Sequence, residues 1–80
     1  MNKYVFGVYL ELVGSRVCNL LIKDKNIDEN IAIELFISSN IYKVLSDEDT
    51  GLISVSPNKI YDLLIEELRK NGKLNGYIKV

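Results

Sequence analysis

The sequence predicts a mainly α-helical fold: a small domain of three helices, with two short extended segments flanking the third. Three observations carry this. Apolar residues recur at spacings of three and four along residues 4–24 and again along 28–45. A Ser56-Pro57 pair opens a third run of the same period. Between them lie turn residues, with Asp47, Glu48, Asp49 and Gly51 forming an acidic, glycine-containing corner. A chain of 80 residues forms one domain, 1–80, and buries only about 60–65% of the surface its unfolded form exposes.

The first helix is read over residues 4–24. Val5, Val8, Tyr9, Leu12, Val13, Val17, Leu20 and Leu21 form its apolar stripe, with Glu11, Arg16, Asn19 and Lys23 mostly off it. Gly7 and Gly14 each cost about 1 kcal/mol inside a helix. Seven residues apart, they share nearly one face and allow close contact with another helix. Asp24-Lys25-Asn26 breaks the run, and Asp28 is placed to cap the second helix with Glu29 in its first turn. That helix carries Ile31, Ala32, Leu35, Phe36, Ser39, Tyr42 and Leu45 on one repeat, with Ile33, Ile37, Ile41 and Val44 on other faces. A helix so apolar all round is expected to be central. Ser38-Ser39-Asn40 is the place for a bend or a break, because these side chains compete for backbone groups.

After the acidic corner, Leu52 to Val55 reads as a short strand or pinned extended loop. Ser56 is an N-cap, and Pro57 takes the first helical position, where its missing N–H is harmless. Ile60, Tyr61, Leu64, Ile65 and Leu68 form the buried stripe of the third helix, which stops at Arg69, Lys70 and Gly72. Tyr77-Ile78-Lys79-Val80 alternates like a terminal strand, able to pair within the chain or with a partner's edge.

A net charge of -1 argues against nonspecific attraction to nucleic acid or an anionic membrane. The charge is uneven: residues 1–27 carry net +2, residues 28–51 net -5, and residues 52–80 net +2. Asp47-Glu48-Asp49 is the focus of the acidic band. Charge runs are most often solvated turns, and the sharper reading is a docking patch for a basic partner. The single cysteine, Cys18, lies in an apolar run and reads as a buried small hydrophobe in a reducing compartment. Glu11 interrupts the apolar N-terminal run and no small-x-small site follows, which argues against a signal peptide. Glu11 and Arg16 sit near the middle of the one stretch long enough to span a bilayer, which disfavours a transmembrane helix. The expected location is the cytoplasm.

Histidine is absent, so His/Cys metal sites, Ser-His-Asp triads and Cys-His pairs are excluded. Gly7 and Gly14 are too far apart for a phosphate loop. A calcium loop aligned on Gly51 places Pro57 where the bidentate Glu belongs, and fails. Glu66 and Glu67 are adjacent and splay about 100° apart on a helix, so they read as a solvated face. A helix-turn-helix wants a short turn, whereas some ten residues separate the second and third helices here. No catalytic residues, cofactor or metal are expected.

The run Ser39-x-x-Tyr42-x-x-Leu45-x-Asp47-x-x-Thr50-Gly51-Leu52, followed by Ser56-Pro57-x-x-Ile60-Tyr61 and Glu66/Glu67, resembles a motif of small uncharacterised bacterial helical proteins. The resemblance covers roughly residues 28–68, and members of that family are similar to antitoxin-like or helper genes. It implies no catalytic residues. The expected function is therefore protein–protein binding by a small non-catalytic bacterial protein, antitoxin-like, helper or phage regulatory, with itself as a homodimer or with another protein. The contact residues expected are Tyr42, Asp47, Glu48 and Asp49, with Tyr77 and Ile78 as a second surface. The alternative is a DNA-binding regulator of its own operon.

Overall fold

The structure, a computed structural model, describes residues 2–73. These residues are mainly helical, with four α-helices and two single 3-10 turns in the order α1 (Lys3–Lys25), α2 (Glu29–Ile37), α3 (Asn40–Leu45), turns Glu48–Thr50 and Leu52–Ser54, and α4 (Pro57–Lys70).

Each helix starts on a side chain that accepts one of its unsatisfied N–H groups. Asn2 accepts from the Tyr4 amide at 2.7 Å, and Asp28 from Asn30 at 3.0 Å. Ser39 accepts from Tyr42 at 3.0 Å, and Ser56 from Lys59 at 3.4 Å with Pro57 behind it. α1 ends at Asn26, whose φ of 52° is left-handed, a conformation Asn tolerates better than most side chains. Lys23 and Lys25 in its last turn complement the carbonyl end of the helix.

The long second helix expected over residues 28–45 is two helices. The Ser38 hydroxyl donates to the Glu34 carbonyl at 2.7 Å, and the buried Ser39 hydroxyl donates to that of Phe36 at 2.6 Å. These side chains end α2, and Ser39 turns extended to cap α3. The third participant comes from far along the chain. The Glu67 carboxylate accepts the Asn40 amide at 2.9 Å on Oε2 and the Ile41 amide at 3.0 Å on Oε1. Glu67 is thus a tertiary cap on α3, where the sequence suggested a solvated face.

The Leu52–Val55 segment is likewise corrected from an extended run. Gly51 takes φ 71°, which a side chain would strain. The chain then closes a 3-10 turn, with Ser54 N–H to Gly51 at 3.1 Å and Val55 N–H to Leu52 at 3.0 Å. Local bonds satisfy this backbone, and no strand occurs among the described residues. The second expected extended segment, Tyr77 to Val80, lies outside them.

α1 is the central helix, packed against both α2 and α4, while α3 bridges α2 and α4. The residues expected to form a central second helix touch more than one neighbour, α2 meeting α1 and α3 and α3 meeting α4, yet Ile33 and Ile37 stay exposed. Both neighbours run antiparallel to α1. Phe36, near the end of α2, meets Gly14 in the middle of α1. Tyr61, in the second turn of α4, meets Asp24 at the end of α1. The shared core is Val17, Leu21, Ala32, Leu45, Ile60 and Leu64, all at 0% exposure. Around it lie Leu35, Phe36, Ile65 and Leu68, with the partly buried Leu52 and Ile53 packed on it. Every stripe residue expected of the last helix (Ile60, Tyr61, Leu64, Ile65, Leu68) is buried.

Glu67 and Glu66 form a direct comparison. Glu66 makes only an exposed pair with Lys70 at 3.2 Å, whereas Glu67 holds two backbone amides. Glu67→Ala is expected to lower stability by about 1–2 kcal/mol, and Glu66→Ala to change it by less than about 0.5 kcal/mol. Urea denaturation of both variants measures the difference.

Candidate functional site

The apolar stripe expected along α1 divides in two. Its C-terminal half is core, with Val13, Gly14, Val17, Cys18 and Leu21 buried. In its N-terminal half Phe6 is buried and the stripe residues are not. Tyr4 is 84% exposed and Leu12 62%, and Val5, Val8 and Tyr9 are exposed with them. At 100° per residue these five occupy an arc of about 140° on one side of the helix. Between Tyr4 and Gly14 the single charged residue is Glu11. The helix is therefore apolar on nearly all sides, yet covered on only part of them. An apolar patch of this kind marks an interaction surface.

On the same count the buried Val13, Gly14, Val17, Cys18 and Leu21 centre about 180° away, so the arc is the side of α1 turned away from its neighbours. α2 has nine residues and Phe36 is next to its last, so it reaches only the level of Gly14. The Phe36 ring lies 3.1 Å from where a Cβ on Gly14 would stand, a contact that glycine permits. A Cβ on Gly7 would meet nothing within 4 Å. The two glycines, expected to work alike, do different things: Gly14 seats α2, and Gly7 lies on the part of α1 beyond it. We call residues 3–12, of which Phe6 is buried, the overhang.

Beside the overhang, α1 and α2 enclose a groove of about 510 Å³. Gly7, Leu10, Gly14, Ile33, Phe36 and Ile37 give it apolar walls, with Glu11 and Glu29 at its edges. Tyr42 contributes from α3 and packs edge-on against Phe36, with ring centroids 5.1 Å apart at 75°. Overhang and groove lie on adjoining sides of α1, with Glu11 between them.

The expected contact residues are placed apart from this surface, except Tyr42. Asp47, Glu48 and Asp49 are exposed at the far corner. The Asp47 carboxylate accepts the Asp49 amide at 3.0 Å, and the Thr50 hydroxyl lies 2.6 Å from the Val44 carbonyl. These bonds are those of a braced turn. Tyr77 and Ile78 lie outside the described residues. Sequence reasoning missed the overhang because a 3/4 repeat identifies an apolar face without saying what covers it.

The titratable groups do not point to chemistry at the groove. Burial, aided by the nearby Glu29 charge, pushes the Cys18 thiol up, away from the reactive thiolate. The Tyr61 hydroxyl donates to the Asp24 carboxylate at 2.5 Å. This bond holds Asp24 below its ordinary range, with help from Lys25 at 3.5 Å. Burial, and then Asp24 itself, push Tyr61 well above the usual phenol. Among the described residues no three His, Cys, Asp or Glu side chains converge to hold a metal ion.

By length and composition alone α1 could cross a membrane: 23 residues containing an 18-residue window of mean hydropathy 1.5. Of that window 28% is buried inside the domain. No family model, curated protein or solved structure matches the chain.

Two outcomes follow from these contacts. Gly7→Ala is expected to stabilise the protein by about 1 kcal/mol through helix propensity, while Gly14→Leu destabilises it by driving a side chain into Phe36; thermal melts compare them. Tyr61→Phe is expected to cost about 1 kcal/mol at neutral pH. Because the folded-state pKa of Asp24 is lowered, that margin is full above about pH 4. It shrinks as the pH falls further. Because the Tyr61 pKa is raised, stability also declines above about pH 10, where the unfolded phenol ionises first. Denaturation of both proteins across pH reads both effects.

Proposed function

We propose that the chain is a small, non-catalytic bacterial cytoplasmic protein that acts by binding another protein, as an antitoxin-like, helper or phage regulatory module. The observation that carries this reading is the overhang of α1, with Tyr4, Val5, Val8, Tyr9 and Leu12 exposed on one arc beside an apolar groove. Exposed apolar side chains gain most from a partner that removes them from water, at about 25 cal/mol per Å². Two tyrosines add rigid contact area with a polar tip. The lack of histidine and the buried position of Cys18 support a non-catalytic role. Tyr42 belongs to this surface through the groove. The acidic corner and the Tyr77–Ile78 pair remain a proposed second surface, supported by charge and by apolar alternation in the sequence.

The DNA-binding alternative has less behind it. The exposed basic residues of α4 are Lys59, Arg69 and Lys70, and Lys70 is paired with Glu66. An eleven-residue connection containing both 3-10 turns separates α3 from α4, in place of the short turn a helix-turn-helix uses.

Affinity capture from a bacterial lysate tests the proposal with three baits: wild type, Val8→Asp/Leu12→Asp, and Glu48→Lys/Asp49→Lys. Both pairs are exposed, so the fold should survive, which circular dichroism checks. The first variant is expected to lose the wild-type partner and the second to keep most of it. Equal recovery by all three baits would remove the overhang reading.

A further inference from the structure

We propose that the groove between α1 and α2 takes a basic amphipathic helix of a partner protein, which sets one cation on Glu11 and another on Glu29. The proposal rests on the reading of this surface as protein-binding and adds the chemistry of the partner. Three features select that partner: the charge of the groove, its length and the open space at Gly7.

Glu11 and Glu29 are the charged residues that line the groove, and both are exposed. Among the described residues neither has an ion-pair partner within the chain. α2 and its cap carry Asp28, Glu29 and Glu34 and no Lys or Arg. On that side of α1 the cations stand outside the lining: Lys3 lies one turn before Gly7, and Lys25 is paired with Asp24 at 3.5 Å. The charge of Glu29 is felt at the groove floor, where it helps burial push the Cys18 thiol up. An apolar groove edged by unpaired carboxylates attracts an apolar face flanked by cations. The same carboxylates repel an anionic bilayer.

The spacing of the two carboxylates points to a helix. Phe36 meets Gly14 and α2 runs antiparallel to α1, so Glu29, seven residues before Phe36, lies level with about residue 21. Glu11 and Glu29 are thus about 15 Å apart along the groove, too far for one small cation to reach both. On a partner helix, two positions eleven residues apart share one side and are separated by about 16 Å. Apolar residues between them meet Ile33, Phe36 and Ile37, as in other helix-in-groove contacts. Ile33 is 38% and Ile37 53% exposed, so both gain from the cover. The lining runs from Gly7 to Ile22, which is about 22 Å or four turns. At its open end a Cβ on Gly7 would meet nothing within 4 Å, so a second helix can approach α1 closely there. A second copy of the chain fits less well. The cations of α4 stand away from a stripe already buried, and Arg16 and Lys23 on α1 are about two turns apart where the carboxylates are about three.

Fluorescence anisotropy of two labelled helical peptides of about 18 residues, titrated with the full chain to about 1 mM at low salt, tests this. Both peptides carry the same leucine stripe; one has Lys at two flanking positions eleven residues apart, and the other has Glu there. Wild type is expected to bind the Lys peptide about tenfold more tightly than the Glu peptide, and Glu11→Lys/Glu29→Lys should reverse the preference. Gly7→Leu should weaken binding of the Lys peptide about tenfold while leaving the melting temperature unchanged or raised, because a side chain there meets nothing in the free protein. No binding of either peptide, equal binding of both, a preference unmoved by the double variant, or a Lys peptide indifferent to Gly7→Leu would overturn the proposal. So would self-association, or sedimentation with anionic phospholipid vesicles, that Gly7→Leu abolishes; these assign the groove to a second copy or to a bilayer. If the peptide preference is absent but Val8→Asp/Leu12→Asp still abolishes capture of a protein, the basic helix falls and the protein-binding reading stands.

Discussion

The carboxylate of Glu67 on the first two amides of α3 is the contact on which the arrangement of the helices depends. A six-residue helix is too short to hold together by its own bonds, because nucleation costs more than one turn returns. α3 persists because both ends of its first turn are satisfied from elsewhere. Ser39, almost fully buried, accepts from Tyr42, and Glu67 reaches across from α4 to accept from Asn40 and Ile41. The negative charge also sits at the positive end of the helix. The bridge ties residue 40 to residue 67 and so fixes α4 against the end of α2.

From that clamp the rest follows. The chain breaks at Ser38–Ser39, so α2 stops at nine residues and cannot run the length of α1. Gly14 meets the Phe36 ring there, and the apolar core closes around Val17, Leu21, Ile60 and Leu64. Beyond Gly14, α1 continues with Tyr4, Val5, Val8, Tyr9 and Leu12 in water. The open groove beside Gly7 and Leu10 is thus a consequence of the helix break at Ser38–Ser39. Had residues 28–45 formed one helix, it would have covered the α2 side of the same turns.

Much of the candidate site was legible only in part. The acidic corner is a turn, as its residues suggested, with Asp47 bracing Asp49 and Gly51 at positive φ. Its charges therefore have a local role that needs no partner. Tyr42 reached the groove, but through Phe36 and α3, a geometry its spacing did not contain. The overhang escaped notice because Val5, Val8, Tyr9 and Leu12 were read as one stripe with Val13, Val17 and Leu21, although at 100° per residue the two sets lie on different sides of α1. Spacings of three and four show that apolar residues recur, and a helix apolar on two sides does not announce which one is covered.

The helices themselves were written locally. Asp28, Ser39 and Ser56 each cap the helix that follows, Pro57 opens α4, and the buried stripe of α4 is the one its spacing announces. These are interactions within a few residues, so composition and order are enough to specify them. What lay beyond that reach was set by contacts across the chain. Glu67 became a cap because α4 packs antiparallel to α1 and brings residue 67 to residue 40. Leu52–Ser54 closed as a 3-10 turn, its amides bonded locally with no strand beside it. α1 is core on the side that meets α2 and α4 and surface on the other, where Tyr4, Val5, Val8, Tyr9 and Leu12 stay exposed. A sequence carries its own short-range bonds; which apolar face stays wet is decided only when the helices meet.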